Sequence, residues 1–352
     1  MPGSTLIDFL IAQNREAVRA YADPDAALWR RQYRARYPTE IVALKCMDGR
    51  LHLPLMTNTP VGIIHSFRNI GGKFDLGWPY FGLLLQRWVD TAIGRGHDAV
   101  ILVTYHYAQG DERRGCAGWG YDTAAARADA FAIKAQCERV FGMGHAVVYP
   151  VVIGIETDED AFVVHGESGE TLEFAGLKDA DADALRRRLR TLFTDMKAQT
   201  IEDLLPLLLG NLAHIAEVRR EGRTLAAASH MEQIMGIGSG FEWLHLINRA
   251  LLIGPYSYDL REPVAKAAGI LLGNLESGRI PREDGVVVMT SATYRDETGT
   301  ERLASVERAY SFVRLASETI AASVPALIPY VSYLVGTLDS KTREYHRLPF
   351  EG

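Results

Sequence analysis

Cys46, Asp48 and Arg50 stand as Cys-x-Asp-x-Arg at the end of an apolar run, Ile41-Val-Ala-Leu-Lys45. His106 follows a second run, Val100-Ile-Leu-Val-Thr-Tyr105, and Cys116 comes ten residues later. Two thiolates and an imidazole make three ligands for a metal such as zinc. They leave one tetrahedral position open, which is the arrangement of a catalytic rather than a structural zinc site. Each piece alone is weak: a cysteine after a strand is usually a small buried hydrophobe, and an Asp–Arg pair is usually a surface ion pair worth little. Ligands in α/β folds bind at strand ends on one side of a parallel sheet, so a cysteine ending one strand and a histidine ending another can converge.

The elements that must position them are those of an α/β chain. Apolar runs rich in β-branched residues alternate with helical stretches, as in a mostly parallel sheet covered by helices. The first forty residues look helical, with Ile7, Leu10, Ile11 and Val18 spaced for one apolar face. Residues 179–218 look mostly helical too. Asn58-Thr-Pro60 and Gly71-Gly72 mark turns. Cys137 falls in a helical pattern over residues 124–141 and reads as a buried apolar side chain.

The chain also repeats itself. Asp98-Ala-Val-Ile-Leu-Val-Thr104 is echoed by Asp284-Gly-Val-Val-Val-Met-Thr290, and Arg127-Ala-Asp-Ala-Phe131 by Arg308-Ala-Tyr-Ser-Phe312. The stretch ending at Gly154 is echoed by the one ending at Gly336, and Ala43-Leu-Lys-Cys-Met-Asp48 is set against Ala227-Ala-Ser-His-Met-Glu232. The offsets are 184 at Cys46, 186 at His106, 181 at Phe131 and 182 at Gly154, so the order is collinear. Ala292 stands where His106 would be, and the loop of Cys116 is shortened, so the second copy has lost the metal chemistry. The expected organisation is a helical arm over residues 1–40, a catalytic unit over 41–177, a helical connection over 178–225 and a degenerate, metal-free copy over 226–352.

A net charge of −6 offers no basic footprint for nucleic acid. Three cysteines and no apolar leader argue against a secreted disulfide framework and for a reducing, cytoplasmic setting. Residues 319–338 carry no charge over a length near that of a membrane span. Pro325 and Pro329 make them read instead as a helix end followed by a strand.

Taken together, Cys-x-Asp-x-Arg, Arg68-Asn-Ile-Gly71, His106 and Cys116 resemble the β-class carbonic anhydrases. The resemblance covers residues 1–165 well and 200–352 as a degenerate copy. It implies zinc on Cys46, His106 and Cys116, an Asp48–Arg50 dyad beside it, and reversible hydration of CO2 to bicarbonate. In that scheme Asp48 accepts a hydrogen bond from the attacking hydroxide, and Arg50 holds Asp48 ionised and away from the metal, which it can otherwise ligate in a closed resting form. The N-terminal arm packs against a partner in that family.

The common β-class spacing is His-x-x-Cys, whereas nine residues, Tyr107 to Gly115, separate the ligands here. That is similar to the divergent branches: the carboxysome shell enzyme, which carries a metal-free second copy, and the ζ-class, which can use cadmium. Cd2+ or another divalent ion therefore stands beside Zn2+. Room for the shell enzyme's extra N-terminal domain is lacking, so carboxysome association is the lesser expectation. Homo-oligomers of such pseudo-dimers are an open partner state. Hydrolysis of carbon disulfide or carbonyl sulfide on the same fold, or a place in an inorganic-carbon uptake assembly, are the alternatives.

Other features are expected to be bland. Arg68-Asn-Ile-Gly71 shapes the pocket through its backbone, with Gly71-Gly72 letting the main chain approach the ligand. Asp111-Glu-Arg-Arg114 is a solvated loop. His230, Glu232, Glu242 and His245 are remnants of a lost site with a structural role rather than a second metal centre. Gly236-Ile-Gly-Ser-Gly240 fits no dinucleotide fingerprint and follows no clear strand. His52, His65 and Tyr105 are candidates for a proton shuttle.

Overall fold

The computed structural model describes residues 4–142, 146–177, 181–222, 230–244, 246, 248–295 and 299–350. They divide into two compact units, one of residues 28–46 and 51–229, the other of residues 1–27, 47–50 and 230–352. Helix α1 (Ser4–Ala22) belongs to the latter, and α2 (Pro24–Arg36) is divided between them.

The unit of residues 28–46 and 51–229 is built on strands β1 (Glu40–Cys46), β2 (Ile64–Asn69), β3 (Ala99–Tyr107), β4 (Val148–Glu156), β5 (Ala161–His165) and β6 (Thr171–Glu173). Its helices are the short α3 (Leu53–Met56), then α4 (Pro79–Gly94), α5 (Thr123–Phe141), α6 (Ala182–Leu192) and α7 (Ala198–Glu221). The sheet order is β2-β1-β3-β4-β5-β6. β1 to β4 are parallel, and β5 and β6 return antiparallel. β1 and β3 are apolar along almost their whole length, and Ile41–Leu44 and Ala99–Val103 are buried. That is the pattern of strands covered on both faces. Helix α5 packs on β3 and β4 through Ala126, Ala130, Ile133 and Cys137, which recur at helical spacing, and Asp122 caps its first turn by accepting from the Ala125 amide. The entry to β1 is tied to α7: the Thr39 amide and hydroxyl both donate to Asp203 Oδ2, at 2.9 and 2.6 Å.

The other unit holds β7 (Ile234–Gly238), β8 (Ala250–Ile253), α8 (Arg261–Glu276), β9 (Val286–Tyr294), α9 (Thr300–Ser323), β10 (Val331–Asp339) and β11 (Tyr345–Arg347). Read from β8, its sheet order β8-β7-β9-β10-β11 repeats the first sheet's β2-β1-β3-β4-β5 strand for strand, and β11, like β5, is antiparallel to its neighbour. The fold is α/β, two mostly parallel sheets flanked by helices, consistent with a duplicated unit. One face of the second sheet packs Ile234, Leu252, Val287, Met289, Leu334 and Leu338 against Leu6, Ile7 and Leu10 of α1. The other face packs Ala292 and Val335 against Ala309 and Val313 of α9. The family resemblance implied an arm packed on a partner, whereas α1 here buries its apolar stripe on the second sheet of its own chain. Asn14 fixes its direction: its Nδ2 donates to the Arg343 carbonyl and its Oδ1 accepts from the Tyr345 amide on the edge strand.

Residues 319–338 run as the end of α9, a 3-10 turn over Pro325–Tyr330 and most of β10, as the prolines indicated. Among the described residues no helix is long and apolar enough to cross a membrane. One strand falls where the sequence pattern pointed away from one. β7 runs into the glycine-rich stretch of residues 236–240, where Gly236 and Gly238 interrupt the β-branched signal.

Tyr105 on β3 reaches His165 on β5, with Oη and Nε2 2.9 Å apart. Burial pushes the His165 pKa from 6.5 down to about 4, and the charge of Arg127 pushes the same way. The unfolded chain therefore takes up a proton that the folded chain refuses. Stability is full above about pH 6.5 and declines as pH falls toward 4. Urea unfolding across that range is expected to show this loss, and His165→Gln, which has no such proton to refuse, removes part of the slope.

Candidate metal centre

The first sheet reverses its winding between β1 and β3. The chain moves outward from β1 to β2 on one side and from β3 to β4 on the other, so a crevice opens at the carboxyl ends of β1 and β3. Cys46 is the last residue of β1, and His106 is the next to last of β3. Cys116 sits between two 3-10 turns, Glu112–Arg114 and Ala117–Trp119.

All three side chains are buried, and their ligand atoms lie within 4.8 Å of one another; no other such group of three occurs among the described residues. The two sulfurs are 3.8 Å apart, far beyond the roughly 2.05 Å of a disulfide. Two sulfurs each about 2.3 Å from one tetrahedral ion would stand about 3.8 Å apart. Neither ring nitrogen of His106 has a hydrogen-bond partner although both are shut off from solvent. An unpaired buried imidazole is costly unless something occupies its lone pair. The soft S, S, N donor set and the orphaned nitrogens fit a divalent ion of the zinc type.

The loop that carries Cys116 rests on the turn after β2. Gly71 takes a left-handed conformation at φ 65°, and its carbonyl accepts from Trp119 Nε1 at 2.8 Å. The Lys73 ammonium lies 4.4 Å above the Trp119 ring. A Cβ on Gly118 would fall 2.5 Å from the Gly71 nitrogen. What Gly71 lets in is thus the ligand-bearing loop. Arg114 departs from the solvated loop expected of residues 111–114. It is buried and ion-paired with Asp158.

Two shuttle candidates are engaged elsewhere: Tyr105 with His165, and His52 as the cap of α3, where Nδ1 accepts from the Leu55 amide at 3.2 Å. His65 is exposed, with its ring edge-on to Phe67.

Residues 47–50 belong to the second unit and run beside β8. The Gly49 amide donates to the Ala250 carbonyl, and the Leu252 amide to that of Met47. Arg50 grips Asp48 three ways: its backbone amide to Oδ1 at 2.9 Å, Nε to both oxygens at 3.1 Å, and a terminal nitrogen to Oδ2 at 2.6 Å. Both side chains are buried. Another guanidinium contact of Arg50 is His230 Nε2 at 3.4 Å, and His230 Nδ1 meets Glu232 at 2.5 Å. Asn274 Nδ2 in turn donates to the Glu232 carboxylate and carbonyl. His230 and Glu232 are therefore the far end of a polar chain that reaches the dyad. Only their i, i+2 spacing hinted at a pair, and nothing in the sequence linked them to Arg50. Glu242 pairs with Arg343, and His245 lies outside the described residues.

Strand register locates the counterparts of the ligands in the second sheet. Val42 faces Ile101 across β1 and β3, and Ile234 faces Val287 across β7 and β9. Carried along the strands, Cys46 corresponds to Gly238 rather than His230. His106 corresponds to Ala292. Gly238 has φ 121°, and a Cβ there would lie 1.8 Å from the Ser291 carbonyl oxygen, so that position has no room for a ligand.

Residues 42–205 match the family model of the carboxysome shell carbonic anhydrase catalytic domain. The chain is similar to the carboxysome shell carbonic anhydrase of Hydrogenovibrio crunogenus, at 26% identity over 242 residues, 58% of this chain and 45% of that protein. Against the shell enzyme of Prochlorococcus marinus subsp. pastoris it is 24% identical, over 58% of this chain and 46% of the other. Against that of Parasynechococcus marenigrum it is 25% identical, over 58% and 40%. The chain spans just under half the length of these relatives. Over residues 42–205 it resembles the catalytic domain of these shell carbonic anhydrases.

Gly118→Ala places a methyl group against the backbone of Gly71, where nothing flexible can yield. The expected cost is about 1–3 kcal/mol of stability in urea unfolding, the usual range for overpacking. A matching Gly94→Ala substitution, which meets nothing within 4 Å, has no such clash to relieve.

Proposed function

We propose that this chain interconverts CO2 and bicarbonate with a zinc ion, or a similar divalent ion such as cadmium, held by Cys46, His106 and Cys116. The observation that carries the reading is the buried Cys–His–Cys group with its orphaned imidazole, inside the stretch that matches a carbonic anhydrase catalytic domain. Three protein ligands leave one position for a small molecule. A zinc ion in such a site lowers the pKa of water from about 15.7 to about 7 and so supplies hydroxide at neutral pH.

The rest of the chemistry is assigned to the chain's own residues. Asp48 accepts the hydrogen bond of the attacking oxygen and turns a lone pair toward CO2. That role rests on the family resemblance and on its place two residues after Cys46. Arg50 orients the Asp48 carboxylate and balances its charge through the three-way grip. With its amide, Nε and one terminal nitrogen all on Asp48, the guanidinium holds that carboxylate back from acting as a fourth ligand. The relatives are carboxysome shell enzymes by name, and we extend that setting, a compartment within the cytoplasm, to this chain. The second sheet, with Gly238 and Ala292 at the ligand positions, is assigned a structural role, which makes one chain a pseudo-dimer with one metal site.

Elemental analysis of the purified chain is expected to give one metal ion per chain, with most of it lost in Cys46→Ala and in His106→Ala. Full occupancy in both variants would overturn the ligand assignment. Stopped-flow CO2 hydration tests the dyad. Asp48→Ala should keep its metal and lose about 10²–10³-fold in turnover, the usual scale for a group that stabilises developing charge. Parental activity at equal metal content would show the dyad to be dispensable.

A further inference from the structure

Nine residues separate His106 from Cys116, and so long a loop cannot by itself hold a thiolate to a fraction of an ångström. A second piece of the same unit grips it. Tyr107 pairs in register with Glu156 at the end of β4, and the turn beyond β4 folds back over the loop. The Thr157 amide and hydroxyl both donate to the Tyr107 carbonyl, at 2.9 and 3.1 Å. The Gln109 amide donates to Glu156 Oε1 at 3.3 Å, and the Gly110 amide to Asp158 Oδ2 at 2.9 Å. At the loop's other end, two residues before Cys116, the Arg114 guanidinium forks onto Asp158, donating to Oδ2 at 3.1 Å with an ion-pair contact of 2.5 Å to Oδ1. Glu156 braces the turn from within, since its carboxylate accepts from the amides of Asp158 and Glu159 at 2.9 Å each. Arg114 and Glu156 are buried, and the Asp158 side chain is 17% exposed.

One carboxylate, Asp158, thus holds the loop at its middle and near its far end, and a second keeps it aimed. A fork of this kind fixes direction as well as distance. We infer that Asp158 and Arg114, braced by Glu156, are positioning residues that hold the Cys116 thiolate at the metal and so set how tightly the metal is retained. This rests on the metal-site reading above. The latch acts only through the third ligand. Its loss leaves Cys46 and His106 in place at their strand ends, where they still hold a metal, weakly.

The test uses the full chain loaded with cobalt, whose thiolate charge-transfer absorption counts bound sulfurs. Asp158→Asn, nearly isosteric, and Arg114→Lys, which keeps the charge without the fork, are compared with Cys116→Ser as the one-thiolate reference. Both latch variants are expected to bind one cobalt at saturation. Both should also lose it to a chelator about 10–100-fold faster than the parent, the scale on which partners of metal ligands act. Their absorption should shift toward the Cys116→Ser value, with Arg114→Lys the milder. Parental release rates and absorption in both variants would overturn the latch. A parent that takes up no cobalt, or whose absorption is unchanged by Cys116→Ser, would overturn the metal-site reading and the latch with it.

Discussion

Register pairs from Glu40–Ala99 to Leu44–Val103 lock β1 to β3, and the geometry of the centre depends on that pairing. Side chains alternate along a strand, so a slip of one residue would turn Cys46 or His106 to the opposite face. The slip is prevented by burial on both sides, because every residue in those pairs from Ile41 to Leu44 and Ala99 to Val103 is inside the core. The reversal of strand order between β1 and β3 then leaves their carboxyl ends uncovered by a crossover. Cys46 and His106 on rigid strand ends and Cys116 on a braced loop make an arrangement that would suit a metal with one open position. The strands provide precision, and the loop completes the shell.

The second sheet repeats the scaffold of the first without its Cys–His–Cys group. β7 to β11 reproduce the order and pairing of β1 to β5, yet the two ligand positions carry Gly238 and Ala292. There the strand ends are packed by other means. Gly238 admits the Ser291 carbonyl at a distance no side chain would allow. The second sheet also takes over a packing role, covering one face with Leu6, Ile7 and Leu10 of α1.

Several buried polar pairs among the described residues are networked. Asp48 and Arg50, Arg114 and Asp158, and His214 and Asp160 are paired away from water, each with backbone or side-chain groups that share the load. Breaking a pair of this kind by removing one partner costs about 3–5 kcal/mol, far more than an exposed pair contributes. Such pairs specify one arrangement of the loops around them, since any other would strand a charge. The chain from Asn274 through Glu232 and His230 to Arg50 extends this to the dyad.

How much of this the sequence alone determined follows from which forces act locally. The apolar runs of β1, β3, β4, β9 and β10 were legible because parallel strands buried on both faces must be apolar throughout. The α/β class followed from their alternation with helical spacing. Cys46, His106 and Cys116 stood out because their positions relative to those runs could be counted, and they are the three side chains the fold brings within 4.8 Å. Local pattern could not reveal β7, since Gly236 and Gly238 are there for a close approach across the sheet and erase the strand signal. It also set His230 against Cys46, an error that only the β7–β9 register corrects. Arg114 read as solvated because a charged residue in a polar loop usually is, and its burial depends on Asp158, 44 residues away. The link from Arg50 to His230 spans 180 residues. Periodicity reports what each element buries, but which charges are buried together is decided only when distant elements meet and each must find a partner out of water.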